Sequence, residues 1–307
     1  MRYLLLFALS FPLLAQCQKV TPAPAGFRAL RDLDYVGSGN ARQMLDLYLP
    51  EKKGEKPNPL VVYIHGGGWQ AGSKDEADVL VGLIKGNTPY AGASLNYRLS
   101  QQAQWPAQIH DCKAAIRWLR AHAEEYHLDP DKIAVFGISA GGHLVSMLGV
   151  TGGVKELEGE LGRHLEQSSR VSCVLDFCGP SDFLTFGGKG SVIDPDDPQG
   201  PLAKLIGGPL KDRREEARKA SPVSYLTQDD APFLIIHGDK DNIVPYAQAT
   251  EFDTALKAAH IPSILLTGTD GGHVFLSGPL VERMYAFNAR HLQGKDVQIP
   301  GGAVPSK

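Results

Sequence analysis

Short apolar runs and amphipathic stretches take turns along most of the chain. Leu60-Val61-Val62-Tyr63-Ile64, Ile133-Ala134-Val135-Phe136 and Phe233-Leu234-Ile235-Ile236 contain no charged residue, the pattern of strands buried on both faces. Met44-Leu45-Asp46-Leu47-Tyr48-Leu49 alternates in part and stops at Pro50, and residues 90–96, 171–177 and 264–266 supply further strands. Between them the period changes. After Pro106, residues Ile109, Cys112, Ile116, Leu119, Ala123 and Tyr126 recur at three- and four-residue steps, predicting one helix that Asp129-Pro130 ends. Residues 140–150, 246–259 and 280–291 are predicted helices, the last with Leu280, Met284, Phe287 and His291 on one face. Strand and helix alternating at these intervals define an α/β class with a mostly parallel sheet and helices on both faces.

Two segments fall outside this rhythm. Residues 17–41 read as an irregular lead-in. Residues 181–230 hold Gly187-Gly188, the acidic turn Asp194-Pro195-Asp196-Asp197-Pro198 and a charged helix over 211–219. They read as an insertion over one end of the sheet, either a lid or a surface loop. With no internal repeat and no second composition regime, residues 17–307 are expected to form a single domain carrying a lid-like insertion at about 181–230.

Composition narrows the function. Of 307 residues, 43% are hydrophobic and 21% charged, with a net charge of 31 − 34 = −3, which excludes a disordered chain. No basic excess and no run of five Lys or Arg exists to neutralise phosphates, so nucleic acid is not an expected partner. The amino terminus has one positive charge, Arg2, followed by an apolar run over 4–15. That is the form of a signal peptide, here residues 1–16, and the run is shorter than the roughly 18–20 residues that cross a bilayer. Export to the periplasm or medium follows. Leu14-Ala15-Gln16-Cys17 resembles a lipobox but departs from one at Gln16, which favours plain cleavage over anchoring through Cys17. No transmembrane segment is expected in the mature chain. Cys112 falls on a helix face expected to be buried, and Cys173 and Cys178 straddle one strand.

The chemistry gathers at glycine-rich turns. Gly137-Ile138-Ser139-Ala140-Gly141 closes the strand over 133–136 and opens the helix over 140–150. A turn this sharp needs residues without Cβ on both sides of the serine, and it lifts the hydroxyl clear of the sheet. His65-Gly66-Gly67-Gly68-Trp69 directly follows the strand over 60–64. Backbone N–H groups of Gly67, Gly68 and Ala140 there can hold an oxygen that turns negative under attack, each worth about 3 kcal/mol in the transition state. A serine nucleophile needs a base, and the base an orienting carboxylate. Among ten histidines, His273 sits in Asp270-Gly271-Gly272-His273, after the strand over 264–266 and near the mouth of a sheet. His65, His143 and His237 read as structural, and the other six have no glycine loop to expose them. In His237-Gly238-Asp239-Lys240-Asp241, Asp239 and Asp241 both qualify as the carboxylate. The order Ser139, Asp, His273 is that of α/β-hydrolases.

Taken together, Val61-Val62-Tyr63-Ile64-His65-Gly66-Gly67-Gly68-Trp69, Ser94-Leu95-Asn96-Tyr97-Arg98, Gly137-Ile138-Ser139-Ala140-Gly141-Gly142 and His237-Gly238-Asp239-Lys240-Asp241-Asn242-Ile243-Val244-Pro245 resemble the α/β-hydrolases of the hormone-sensitive-lipase-like group. Within it the chain is similar to bacterial carboxylesterases of the feruloyl-esterase-like (BD-FAE) subgroup, over about residues 33–292. The resemblance implies Asp241, not Asp239, as the acid, and assigns the oxyanion hole to Gly67, Gly68 and Ala140. The histidine loop, Gly271-Gly272-His273-Val274, departs from the family's usual Gly-x-Gly-His-Gly/Ala. The expectation is an exported serine carboxylesterase acting on short-chain or aromatic (acetyl or feruloyl) esters, small or polysaccharide-borne, with catalytic Ser139, Asp241 and His273. No metal or cofactor is required, and the acidic turn 194–197 lacks a recognised Ca²⁺ spacing. The rivals are a serine peptidase of the same fold, for whose usual propeller there is no room, and an inert hydrolase-fold binding module. Trp69, Trp105, Phe183 and Phe186 are candidate pocket aromatics that equally suit core or lid packing.

Overall fold

A computed structural model describes residues 20–85, 88–187 and 190–307; the expected signal peptide and Cys17 lie outside them. In chain order the elements are β1 (Phe27–Asp34), β2 (Met44–Pro50), β3 (Asn58–Ile64), α1 (Asp78–Ile84), β4 (Ala91–Leu95), α2 (Ala107–Ala121), α3 (Ala123–Tyr126), β5 (Leu128–Ile138), α4 (Ala140–Val150) and α5 (Lys155–Glu158). Then come β6 (Cys173–Phe177), α6 (Pro201–Ile206), α7 (Arg214–Lys219), β7 (Phe233–Gly238), α8 (Ala247–Ala258), β8 (Ser263–Thr269), α9 (Gly278–Gln293) and β9 (Gly302–Pro305). The described strands form one nine-stranded sheet in the order β1-β2-β4-β3-β5-β6-β7-β8-β9. Only β1 with β2 and β2 with β4 run antiparallel.

Alternation along the strands splits the apolar residues between two cores. Leu60, Val62 and Ile64 of β3 face one side with α2, α4 and α8, while Val61 and Tyr63 face the other with α1 and α9. Each such side chain, fully buried, contributes about 1.5–3 kcal/mol, so a one-residue slip of register would reverse both faces at once. The register also aligns the strand ends. Ile64 pairs with Gly137, Ile138 with Phe177, Phe177 with Ile236, and Gly238 with Gly268. The loops after β3, β5, β6, β7 and β8 therefore open at one edge. From β3 the chain passes to β4 on one side, and from β5 it passes to β6 on the other, so the β3/β5 boundary is a topological switch point, where ligand clefts of open α/β sheets form.

Several expectations change. The lead-in over 17–41 is not irregular throughout, because β1 lies within it. A bulge between Leu30 and Leu33, with Asp32 at φ 54°, breaks the period of two, and most of the strand is half-exposed. The predicted long helix divides at His122 into α2 and α3, although the apolar spacing runs across the break. In the insertion, the expected charged helix starts with a 3-10 turn over Leu210–Asp212 and becomes helical only at α7, because Arg213 has φ −129°. Elsewhere in that segment Phe183, Leu202, Leu205 and Leu210 pack into the larger core. Cys112, Cys173 and Cys178 are all free and buried. No described helix is long and apolar enough to cross a membrane.

Candidate active site

Ser139 occupies the junction between β5 and α4 with φ 58° and ψ −118°, a conformation that costs an L residue on the order of 1–3 kcal/mol. Its neighbours impose it. The Ser139 N–H donates to the Phe177 carbonyl (2.8 Å), and the Ser139 carbonyl accepts from the His143 N–H (3.0 Å). At Gly141 a Cβ would overlap the Ile64 carbonyl, so only glycine lets the amino-terminal turn of α4 abut the end of β3. The Ser139 hydroxyl has no hydrogen-bond partner among the described residues.

The loop after β3 supplies the facing wall. Gly67 adopts φ +102°, and its carbonyl accepts from the N–H groups of Gln70 and Ala71, both at 3.0 Å. Neither Gly67, Gly68 nor Ala140 donates its N–H to another backbone group among the described residues. Trp69, at φ 59°, ties the loop down. Its indole N–H donates to His143 Nδ1 (3.2 Å), and His143 Nε2 donates to the Ala220 carbonyl (2.7 Å). Because an indole only donates and a carbonyl only accepts, His143 carries its hydrogen on Nε2 and is neutral; burial holds its pKa down to about 4. His65 is likewise pushed down to about 4 by burial, stacks on Tyr97 with centroids 4.3 Å apart, and sits with Nδ1 2.8 Å from the Gly66 carbonyl.

Opposite the serine, the loops after β7 and β8 bring Asp241 and His273 together, with Nδ1 2.7 Å from Oδ2. Asp241 is buried, and although desolvation opposes ionisation, donors from His237 and His273 and the Ile243 N–H hold its pKa well below the usual carboxylate range. An ionised Asp241 accepts only, so His273 carries its hydrogen on Nδ1 and leaves the Nε2 lone pair free. Asp239, which sequence spacing alone does not separate from Asp241, turns elsewhere: its N–H donates to the Gly268 carbonyl (3.0 Å), and its buried Oδ1 has no partner.

Ser139, Ala140, Gly67, Gly68 and His273 line one cavity of about 570 Å³, and Asp241 lies behind His273. Trp69 and Phe186 are in its wall, as are Ile193 and Pro201 from the 181–230 segment and Tyr63 from β3. Trp105 and Phe183 instead pack on His143 (centroids 5.4 and 4.9 Å). Two neighbours of His273 and Asp241 escaped the sequence reading. Cys178, just past β6 at φ 50°, places Sγ 3.9 Å from His273 Nε2. Burial, with the Asp241 charge nearby, pushes its thiol well up, so it stays protonated. His237, read only as a backbone-satisfying residue, reaches Asp241 Oδ2 as well, at 3.0 Å. Among the described residues, Cys178, Asp241 and His273 form the one group of three metal-ligating side chains within reach of one another. The acidic turn is consumed by capping: Asp194 accepts from the Asp196 N–H (2.9 Å) and Asp196 from the Lys211 N–H (2.7 Å).

The parallel sheet, the serine elbow at the switch point and the Asp–His pair on the next strand ends define an α/β-hydrolase fold. Residues 45–256 match the BD-FAE family, and the chain belongs to it. It is 30% identical over 270 residues to "Esterase LipC" of Mycobacterium tuberculosis, covering 84% of this chain and 64% of that one. Among solved structures it is similar to a truncated carbohydrate esterase from gut microbiota, at TM-score 0.79 and 31% identity, covering 89% of this chain and all of that one. It is also similar to a bifunctional GH43-CE protein of Bacteroides eggerthii, at TM-score 0.77 and 34% identity, covering 86% of this chain and 35% of that one. The chain spans half to two thirds of the length of the first curated relatives it matches.

Proposed function

We propose that the protein is an exported serine carboxylesterase that hydrolyses short-chain or aromatic esters, acetyl and feruloyl groups on polysaccharide among them, through an acyl-enzyme. The observation that carries the reading is the 2.7 Å Asp241–His273 contact beside a cavity that also holds the strained Ser139. His273 Nε2 accepts the Ser139 proton as Oγ attacks the ester carbonyl. The N–H groups of Gly67, Gly68 and Ala140 receive the oxyanion, and Asp241 stabilises the imidazolium. His273 then protonates the leaving alcohol, and water, activated in the same way, releases the acid. No hydrogen bond joins Ser139 to His273 at rest, and such contacts commonly close only when substrate is bound.

Volume and polarity support an ester with a modest acyl group: about 570 Å³ is the size of a small-molecule site, and the walls are mostly apolar. The name of the solved carbohydrate esterase from gut microbiota supports a sugar-bearing alcohol, and the apolar run over residues 4–15 supports export. The test is a matched ester panel from acetate to octanoate, with methyl ferulate and acetylated xylan, and Ser139→Ala as the blank. Ser139-dependent turnover is expected, with ferulate or acetyl-xylan preferred. Preference for short synthetic esters alone removes the plant-wall part of the proposal. No turnover of any ester removes the esterase reading and leaves a binding module.

A further inference from the structure

We propose that His237 positions the acid: its Nε2–H clamps the carboxylate oxygen of Asp241 that faces His273. The assignment rests on the reading of Ser139, Asp241 and His273 as a triad. His237 is the penultimate residue of β7 and fully buried. Its Nε2 lies 3.0 Å from Asp241 Oδ2 and 2.9 Å from the Val244 carbonyl. A carboxylate and a carbonyl only accept, so Nε2 carries the hydrogen; it donates to the Val244 carbonyl and sets the same N–H edge against Oδ2. Among the described residues Nδ1 is buried without a partner, so the hydrogen on Nε2 is the one this fold uses.

The carboxylate is held on both oxygens as a result. Oδ1 accepts from the N–H groups of Ile243 (2.8 Å) and Val244 (3.1 Å), and Oδ2 accepts from His273 with His237 Nε2 packed 3.0 Å away. Three hydrogen bonds and this contact leave the group unable to rotate without losing one of them. Backbone alone fixes only Oδ1; His237 aims the other oxygen. Other polar and titratable groups near the imidazole are Asp176 on β6, Thr267 paired with His237 across β8, and Tyr246 at the start of α8, whose ring stands edge-on at 5.8 Å.

Two substitutions separate aiming from packing. His237→Phe keeps the ring volume and removes the N–H; His237→Gln loses the ring and keeps an N–H at about the reach of Nε2. With p-nitrophenyl acetate, kcat of the Phe variant falls roughly 10- to 100-fold, the cost of a small misplacement of a catalytic group, while KM changes little. Its acid limb in kcat/KM moves to higher pH, because Asp241, relieved of one donor, holds the His273 imidazolium more tightly. The Gln variant retains most of its turnover. Parent-like kcat and an unmoved acid limb in the Phe variant overturn the proposal, as does a Gln variant weaker than Phe. If circular dichroism shows the Phe variant unfolded, Gln against Asn decides, since the Asn amide is too short to reach Oδ2. Gln above Asn is expected, and equal rates overturn it. Ser139→Ala runs alongside. If it keeps parent turnover, the triad reading itself is wrong and the assignment falls with it; if it is inactive while His237→Phe is unaffected, the error lies with His237 alone.

Discussion

The serine side and the histidine side of the cavity are built on opposite rules. Among the described residues, polar groups around Ser139 are left unmet: the hydroxyl has no partner, and the N–H groups of Gly67, Gly68 and Ala140 make no backbone bond. Around Asp241 nothing is left over, since both oxygens are doubly engaged. The serine side holds capacity in reserve for a ligand, on a backbone that takes positive φ at Ser139 and Trp69 and needs glycine at Gly67. On the histidine side the Asp241 carboxylate is held on both oxygens and serves as the rigid reference against which the proton at His273 can move. One half is poised and the other is set.

Substitutions on either half test that contrast. The largest expected effect is Ser139→Ala, which removes about 10⁵-fold or more of the turnover while leaving the thermal midpoint near the parent's, because the hydroxyl makes no internal bond. A large loss of stability would mean that the serine side is not held in reserve. Next, Asp241→Asn lowers kcat by about 10⁴-fold, since the amide presents a donor or the wrong tautomer to His273. Asp239→Asn lowers it far less, and kinetics giving the reverse ranking would show that the committed carboxylate is the other one. Third, His143 contributes to stability in full above its unfolded pKa, and the contribution is lost as pH falls through the folded value of about 4. A gap of about 2.5 units corresponds to about 3 kcal/mol at pH 4. Denaturant unfolding between pH 7 and 4 measures it, and His143→Gln flattens the slope. An unchanged slope would place the neutral imidazole outside the fold's acid response. The smallest effect belongs to Cys178→Ala, costing about 1 kcal/mol and leaving kcat within a few-fold. With Cys17 replaced by serine, Cys112, Cys173 and Cys178 react with an aromatic disulfide reagent only after denaturation; rapid native reaction at Cys178 would show that the histidine side is open.

Much of this arrangement was legible in the chain because it is local. A strand, a glycine turn, a serine and a helix announce themselves between residues 133 and 150, and a histidine after a pair of glycines at a strand end does so too. What depends on a neighbouring strand was not. Nothing near Cys178 in sequence shows that the end of β6 lies beside the histidine loop. Asp239 and Asp241 tied because both follow β7, and only the turn that returns the Asp241 N–H to the Gly238 carbonyl (3.2 Å) directs one of them at His273. β1 was hidden by its bulge, which removes the alternation that a half-exposed edge strand needs to be recognised.

His143 joins three stretches of chain that never meet in sequence: the loop ending at Trp69, the helix that follows Ser139, and Ala220 beyond α7. These parts cannot be exchanged one at a time. An engineer transplanting the 181–230 segment from a relative to change the acyl preference would also be choosing the carbonyl that anchors the glycine loop across the cavity. A chimera whose graft misplaces residue 220 loses transition-state stabilisation at a distance, with every glycine still in place.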